Sequence, residues 1–307
     1  MSKSPILAIV GPTSVGKTDL SLSISTEFPV EIVNVDSRQI YRGMDIGTAK
    51  PTSAQRAIVA HHLIDVVSPN DEFNLNKYLS LAHYAIEEVY KRGRIPLLVG
   101  GTGQYFWALL EAWQVPSIPP DRKLRGELEE LVKREGVDFL FRRLLKVDVW
   151  SAILIDPRNT RRVIRALEIY HQTGIPASKF RKRGDSVFDA CIIGLTLPRT
   201  ELYNRIDQRV DRMVEQGLEG EVRALLDSGV SHTSPAISSV GYAELTAYIN
   251  RDVEFDVAIQ NTKYRTHRLA RHQSSWFRVS DVRIRWLQVG VSTEEAARSI
   301  IREHLNS

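Results

Sequence analysis

An α/β fold, with a doubly wound, mostly parallel sheet and a helical insertion, is predicted by three observations. Short apolar runs alternate with helix-period segments through the first third of the chain. A glycine-containing turn joins the first of those runs to a helical segment. Near residue 120 the alternation gives way to an almost wholly helical pattern that lasts to about residue 189.

The apolar runs are Ile6 to Val10, Glu31 to Val35, His62 to Val67 and Ile95 to Val99. Runs of this length, rich in Val, Ile and Leu, read as strands buried on both faces of a parallel sheet. Between them lie helices. One is expected from Asp19 to Phe28. Another is capped by Asn74, has Tyr78, Leu81, Ala82, Ala85, Ile86 and Val89 on one face, and stops at Gly93. Such a strand–helix alternation is the signature of a doubly wound sheet. Pro116, Pro119 and Pro120 mark the change of texture. Helices are expected over Arg122 to Glu135, Asp138 to Leu145 and Thr160 to Thr173, the last ended by Gly174. Ala190 to Leu197 then returns as a strand. Thr200 to Gly229 is helical with a break at Gly217, Val257 to Val279 is a helix, and Arg283 to Gln288 is a last strand. The division expected is therefore a core of residues 1–119 and 190–307 around an insertion of residues 120–189.

With 307 residues and 43% hydrophobic content the chain can bury a substantial core. Its formal charge of +4 is too small to argue for a nucleic-acid partner, so local clusters must carry that case. The single cysteine, Cys191, excludes an intramolecular disulfide and reads as a small core residue in a reducing compartment. No apolar run approaches the length of a membrane span. A cytoplasmic protein without a membrane partner is the expectation.

Gly11, Pro12, Thr13, Ser14, Val15, Gly16, Lys17 and Thr18 fit the P-loop pattern G-x-x-x-x-G-K-[ST], between a strand and a helix as the pattern requires. Glycines let the backbone curl around an anion with its N–H groups inward, and the helix N-terminus adds positive potential. Lys17 supplies a point charge, and the Thr18 hydroxyl is a candidate Mg²⁺ ligand. The strand before Gly100, Gly101 and Thr102 ends in glycines, so it lacks the acidic residue a standard nucleotide hydrolase puts there. Asp36, at the end of the second run, is the better-placed carboxylate.

Further segments fall into a known pattern. They are Val35-Asp-Ser-Arg-Gln-Ile-Tyr-Arg-Gly-Met-Asp-Ile-Gly-Thr-Ala-Lys-Pro51, His61-His-Leu-Ile-Asp65, Pro96-Leu-Leu-Val-Gly-Gly-Thr-Gly-Gln-Tyr-Phe106 and Arg162-Val-Ile-Arg-Ala-Leu-Glu168. Gly217-Leu-Glu-Gly-Glu-Val-Arg-Ala-Leu225, Val240-Gly-Tyr242 and Arg271-His-Gln-Ser-Ser-Trp-Phe-Arg278 follow. With the P-loop, these segments make the chain resemble the bacterial tRNA dimethylallyltransferase family over nearly its whole length. The stretch from Asp36 to Pro51 is more specific than the P-loop. The chain departs from the family pattern at Ser238, His272 and Ser275, where a basic residue, Arg and Thr are expected.

The resemblance implies transfer of a dimethylallyl group from its diphosphate to N6 of the adenosine just 3′ of the anticodon, in tRNAs reading codons that begin with U. It implies that the P-loop holds the leaving diphosphate, with Mg²⁺, and that the ATP often associated with the loop is an inherited label. Asp36 is then the base that accepts the amine proton, with Thr102 near the adenine and Arg223 as an additional diphosphate contact. Ser37, Arg38 and Gln39 are implied to meet the tRNA. So are Arg161, Arg162, Val163, Ile164 and Arg165, then Val240, Gly241 and Tyr242, and finally Arg271, His272, Gln273, Trp276 and Arg278. The family also implies a monomer with no obligate protein partner.

Basic clusters support an RNA partner independently. Lys179, Arg181, Lys182 and Arg183 form one, and Arg205, Arg209 and Arg212 form a helix stripe. From Val257 to Ser280 there is no acidic residue, while Lys263, Arg265, Arg268, Arg271 and Arg278 alternate with Tyr264, His267, Trp276 and Phe277. Phosphate contacts with interleaved stacking surfaces suit a folded RNA loop. The alternatives are a P-loop small-molecule kinase and a nucleotide-driven RNA-binding switch.

Overall fold

A computed structural model describes residues 3–180 and 182–306. Arg181, part of one expected basic cluster, lies outside the described residues. By contacts the chain divides into Met1–Leu110 with Ser186–Ser307, and Glu111–Asp185. The expected limit of 120 falls inside this second unit, and that of 189 falls just past its end.

In chain order the first unit opens with β1 (Ser4–Val10), α1 (Lys17–Ser25), β2 (Val30–Asn34), α2 (Ser53–Ile58), β3 (His61–His62), α3 (Leu75–Lys91), β4 (Ile95–Gly100) and α4 (Gly103–Leu110). The second unit holds β5 (Trp113–Gln114), α5 (Arg122–Glu135), α6 (Val137–Val147), α7 (Val149–Leu154), α8 (Thr160–Thr173) and β6 (Lys182–Arg183). The first unit resumes with β7 (Phe188–Thr196), α9 (Arg199–Glu215), α10 (Leu218–Asp227), α11 (Tyr242–Ile249), α12 (Phe255–Trp276), β8 (Ile284–Gln288) and α13 (Thr293–Leu305).

The sheet runs β3-β2-β4-β1-β7-β8, and every pairing in it is parallel. β1 lies at its middle and is buried from Ile6 to Val10. Leu7, Ile9, Ile32, Leu97 and Ile193 form a core with Leu20 and Ile24 of α1, Ile206 of α9 and Ile301 of α13. Cys191 is buried there, and desolvation pushes its thiol up to about 11, so it is a packing residue. The predicted α/β fold and its parallel sheet are what the structure has.

The expected strand over His62 to Val67 is only two residues long. Leu63 and Asp65 have φ of 63° and 58°, which no strand tolerates. Asp65 is drawn instead to Lys50 and Arg56, at 2.6 and 2.8 Å. The specific stretch from Asp36 to Pro51 is irregular but firmly held. Ile40, Tyr41 and Met44 pack on Leu218, Val222 and Tyr242. Glu221 on α10 accepts bonds from the backbone N–H groups of Asp45, Ile46 and Gly47, at 2.8, 2.8 and 3.2 Å, and from the Tyr242 hydroxyl at 2.6 Å.

The second unit has its own core of Leu128, Leu140, Leu144, Val163, Ile164 and Leu167. The helices over 122–135 and 160–173 fall where the sequence places them, with Asp121 and Asn159 as N-caps and Gly174 closing α8 in the left-handed conformation. Buried Glu168 accepts bonds from Arg125, Arg165 and the Asp121 N–H, and these hold its carboxyl below the usual range although burial opposes them.

Glu221→Ala strands three backbone donors and the buried Tyr242 hydroxyl, so it is expected to lower stability by about 3 kcal/mol in urea unfolding. A loss under about 1 kcal/mol would mean that water replaces the carboxylate.

Candidate active site

Three neighbouring strands of the sheet, β2, β4 and β1, end at one edge, where α/β folds of this type bind ligands. β1 delivers the P-loop. Gly11 has φ of 143°, and a Cβ there would lie 2.6 Å from the Leu195 carbonyl oxygen, so only glycine fits. Ser14 and Gly16 are left-handed, with φ of 63° and 103°, and Gly16 caps α1. Alternating handedness of this kind turns successive N–H groups toward one concavity. The Ser14 hydroxyl is buried with no hydrogen-bond partner. A buried hydroxyl without a partner in this turn is open to a ligand. The Lys17 ammonium folds back and donates to the carbonyls of Gly11 and Pro12, at 3.0 and 2.7 Å. Desolvation lowers Lys17 to about 8, Asp36 partly offsets this, and Arg209 adds to it.

β2 delivers Asp36 and β4 delivers Thr102, and the two turns are stitched together. The Thr102 N–H donates to the Val35 carbonyl at 3.0 Å, and the Ser37 N–H donates to the Thr102 hydroxyl at 3.0 Å. A Cβ on Gly100 would lie 2.2 Å from the Val35 carbonyl oxygen, so the close approach depends on that glycine. One Asp36 oxygen accepts from the Arg38 N–H at 2.8 Å, which fixes the carboxylate. The other carries no hydrogen bond among the described residues.

The sequence reading missed one member of this group. Arg209 on α9 donates to the Thr13 hydroxyl at 3.3 Å. Desolvation lowers its pKa, Asp36 opposes that, and Arg212 reinforces it. Its stripe partners stay on their own helix, Arg205 with Glu201 at 2.8 Å and Arg212 with the Gln208 carbonyl at 3.3 Å. Spacing alone could not single out Arg209, because its partner lies far away in sequence. Arg223, expected at the diphosphate, has a half-exposed guanidinium bonded to Glu219 one turn back on α10, 2.8 Å away.

Several implied tRNA contacts are core residues. Tyr242 is fully buried under Gly47, with its hydroxyl on Glu221, and Gly241 is buried before it, with Val240 half-buried. Val163 and Ile164 fill the core of the second unit, because the matching segment is an amphipathic helix. Gln273 is buried and accepts from the Thr13 N–H at 2.7 Å. The Gln39 amide donates to the carbonyls of Thr48 and Ala49, both at 3.2 Å. His61 bonds the Val59 carbonyl and is structural.

Other implied contacts are accessible. Arg161, Arg162, Arg271, His272 and Arg278 are exposed, and Trp276 is half-buried. Arg38 reaches the Pro235 carbonyl, Arg165 is tied to Glu168 and the Ile118 carbonyl, and Arg271 to the Tyr203 hydroxyl. Ser37 and Thr102 are half-buried at the Asp36 turn. Among the described residues no group of three or more His, Cys, Asp or Glu side chains could hold a metal, and no helix is long and apolar enough to cross a membrane.

Known proteins resemble the chain over most of its length. Residues 39–280 match the family model described as IPP transferase, and residues 4–63 match that of isopentenyl transferase. The tRNA dimethylallyltransferase of Thermomicrobium roseum is 47% identical over 276 residues, which cover 90% of this chain and 84% of that protein. The full-length tRNA isopentenylpyrophosphate transferase of Bacillus halodurans superposes with a TM-score of 0.73 at 38% identity, over 99% of both chains. A eukaryotic dimethylallyltransferase solved acting on tRNA superposes at 0.80 and 27% identity, over 97% of this chain and 78% of that one.

A bound anion favours charged Lys17, so its pKa must rise from about 8 on binding. Pyrophosphate binding at pH 8.5 is therefore expected to take up protons, seen as a calorimetric enthalpy that changes with the buffer's ionisation heat. Lys17→Met abolishes the share of that uptake that Lys17 contributes, leaving only the ionisation of pyrophosphate itself. Affinity falls as pH rises through about 8, where the empty site's Lys17 loses its charge.

Proposed function

Because this chain belongs to the tRNA dimethylallyltransferase family, we propose that it transfers a dimethylallyl group from dimethylallyl diphosphate to N6 of the adenosine just 3′ of the anticodon, in tRNAs reading codons that begin with U, releasing diphosphate. The observation that carries this reading is that neighbouring strand ends bring Asp36, Thr102 and the Lys17 turn to one edge of the sheet, where Arg209 of α9 meets Thr13 at 3.3 Å.

The loop amides, Lys17, Arg209 and the hydroxyls of Thr13 and Ser14 hold the diphosphate. The adenine amine is a weak nucleophile, since its lone pair is delocalised into the ring. As its nitrogen bonds the allylic carbon, the carbon–oxygen bond to diphosphate breaks and the electron pair leaves with the diphosphate. The N6 proton passes to Asp36, whose position is fixed by the Arg38 N–H. Lys17 and Arg209 stabilise the charge that grows on the leaving group, in a site already partly stripped of water. Thr102, bonded to the Ser37 N–H, lies beside the base that Asp36 serves.

Thr18 fits a Mg²⁺ held mainly by diphosphate oxygens and water, since Mg²⁺ needs few protein ligands when a phosphate substrate supplies the rest. When bound, the ion supplies further charge neutralisation to the leaving group. The base must leave the anticodon stack, at a cost of a few kcal/mol. Exposed Arg161, Arg162, Arg271, His272 and Arg278, with Trp276, Ser37 and Arg38, supply compensating contacts to the anticodon stem-loop. The loop takes a diphosphate rather than ATP, and the protein works in the cytoplasm as a monomer without a protein partner. Family membership sets the kinase reading aside.

Incubation with unmodified tRNA, Mg²⁺ and labelled dimethylallyl diphosphate, beside a parallel reaction with labelled ATP, is expected to label an anticodon-loop adenosine and leave ATP intact. Phosphate transfer from ATP without RNA labelling would overturn the reading. Asp36→Ala is expected to slow transfer by about 10²–10⁴-fold while tRNA binding in gel shifts persists. Arg209→Ala is expected to lower kcat/KM by about 10²–10³-fold, with Arg223→Ala close to wild type.

A further inference from the structure

The Thr13 N–H is the one P-loop amide that a side chain from a distant helix already occupies. Gln273 on α12 accepts its proton at 2.7 Å, and Gln273 is only 7% exposed. On the other side Arg209 of α9 reaches the Thr13 hydroxyl at 3.3 Å. Thr13 is thus held at both its polar groups by two different helices. The Gln273 amide nitrogen also lies against Gly101, where a Cβ would meet it at 2.2 Å. One turn on, Trp276 packs on Gly103 in the same way, with its Cβ 2.3 Å from the built position. Gln273 and Trp276 therefore brace the turn that carries Thr102, and Gln273 braces the P-loop as well.

We propose that Gln273 is a positioning residue for the diphosphate site. Its carboxamide locks the Thr13 segment of the P-loop against the Gly101–Thr102 turn, so that the anion cradle and the adenine side of the site are held in fixed relation. This inference rests on the transferase reading and replaces the RNA contact that the family resemblance implies for Gln273. The physical argument is preorganisation. A loop that must bind an anion through several amides loses affinity when one of them swings free, because ordering it again is then charged to binding. The effect falls on the diphosphate and not on tRNA, because Gln273 is buried away from the exposed face of α12 that Arg271 and His272 occupy.

Gln273→Met keeps an unbranched side chain of similar length and removes both the acceptor and the donor. Gln273→Glu keeps the acceptor but sets a negative charge beside the anion. Kinetics would be measured with dimethylallyl diphosphate and tRNA varied in turn, and inorganic pyrophosphate binding by calorimetry. The expected result for Gln273→Met is a rise of about tenfold in both the KM for dimethylallyl diphosphate and the Kd for pyrophosphate, with kcat and the KM for tRNA nearly unchanged. Gln273→Glu weakens both further. A rise in the KM for tRNA alone would restore the RNA contact and overturn the proposal, as would unchanged pyrophosphate binding in both variants. A fall in kcat with both KM values unchanged would reduce Gln273 to a folding residue and overturn it too. If Gln273→Met does not fold, the glutamate variant carries the test. Absence of any transfer by the wild type would sink the transferase reading instead, while pyrophosphate binding still decides the role of Gln273.

Discussion

Lys17 and Arg209 bring like charges onto the same P-loop, and each is partly stripped of water there. Two desolvated cations in one place cost free energy that must be recovered. The protein recovers part of it through Asp36, the carboxylate that opposes the lowering of both pKa values, and part through carbonyls of the loop itself. What remains is an unmet demand for negative charge. The diphosphate of the reaction proposed above would satisfy it, most fully when the charge on its oxygens grows as the allylic carbon departs. Asp36 thus stands in two relations to the same cations: it supports them in the empty protein, and it takes a proton in the reaction proposed above.

The parallel sheet is what makes this arrangement possible. Its strands all point one way, so β2, β4 and β1 end side by side with Asp36, Thr102 and the P-loop at their tips. Glycine governs the distances between those tips: Gly100 admits the Val35 carbonyl, and Gly11 admits that of Leu195. A second frame is fastened to the sheet by α9 and α12. Lys263 pairs with Asp211 at 2.6 Å, His267 stacks on Tyr203 with ring centroids 4.0 Å apart, and Arg271 bonds the Tyr203 hydroxyl at 2.8 Å. Because these links join the two helices along several turns, the positions of Arg209 and Gln273 at Thr13 are set jointly.

The sequence is legible where structure is local. The turn between the first strand and helix, the alternation of strands and helices, and the Asn74 and Gly174 caps follow from neighbouring residues, and the structure has them. It misleads where a contact spans the chain. Arg205, Arg209 and Arg212 look alike along a helix, and only packing brings Arg209 to Thr13. Segments shared with a family mix surface and core, so Val163, Ile164 and Tyr242 travel with their accessible neighbours although they are buried. The strand expected up to Val67 fails for a related reason. Its apolar run is genuine, but the pull of Lys50 and Arg56 on Asp65, a tertiary effect, bends the backbone out of line.

The acid-free stretch around α12 shows how composition and structure combine. Read as a list, it offers a row of cations to RNA. In the folded chain Lys263 is spent on Asp211, Arg265 on Glu244 and Arg271 on Tyr203, while Arg268 and Arg278 have no ion pair among the described residues. Along the same helix Ala258, Thr262, Ala270 and Gln273 are buried, one, two and one turns apart on one inward face, with Phe277 just past its end. The stretch is therefore less a strip of free charge than a two-sided beam. Its inner face fixes the P-loop and the Thr102 turn, and a few of its outer cations remain to meet phosphate. In a chain whose formal charge is only +4, electrostatic attraction to RNA must come from such residual sites. In the reaction proposed above, their placement on and just past the helix that braces the Thr13 turn would couple the seat of the RNA to that of the diphosphate.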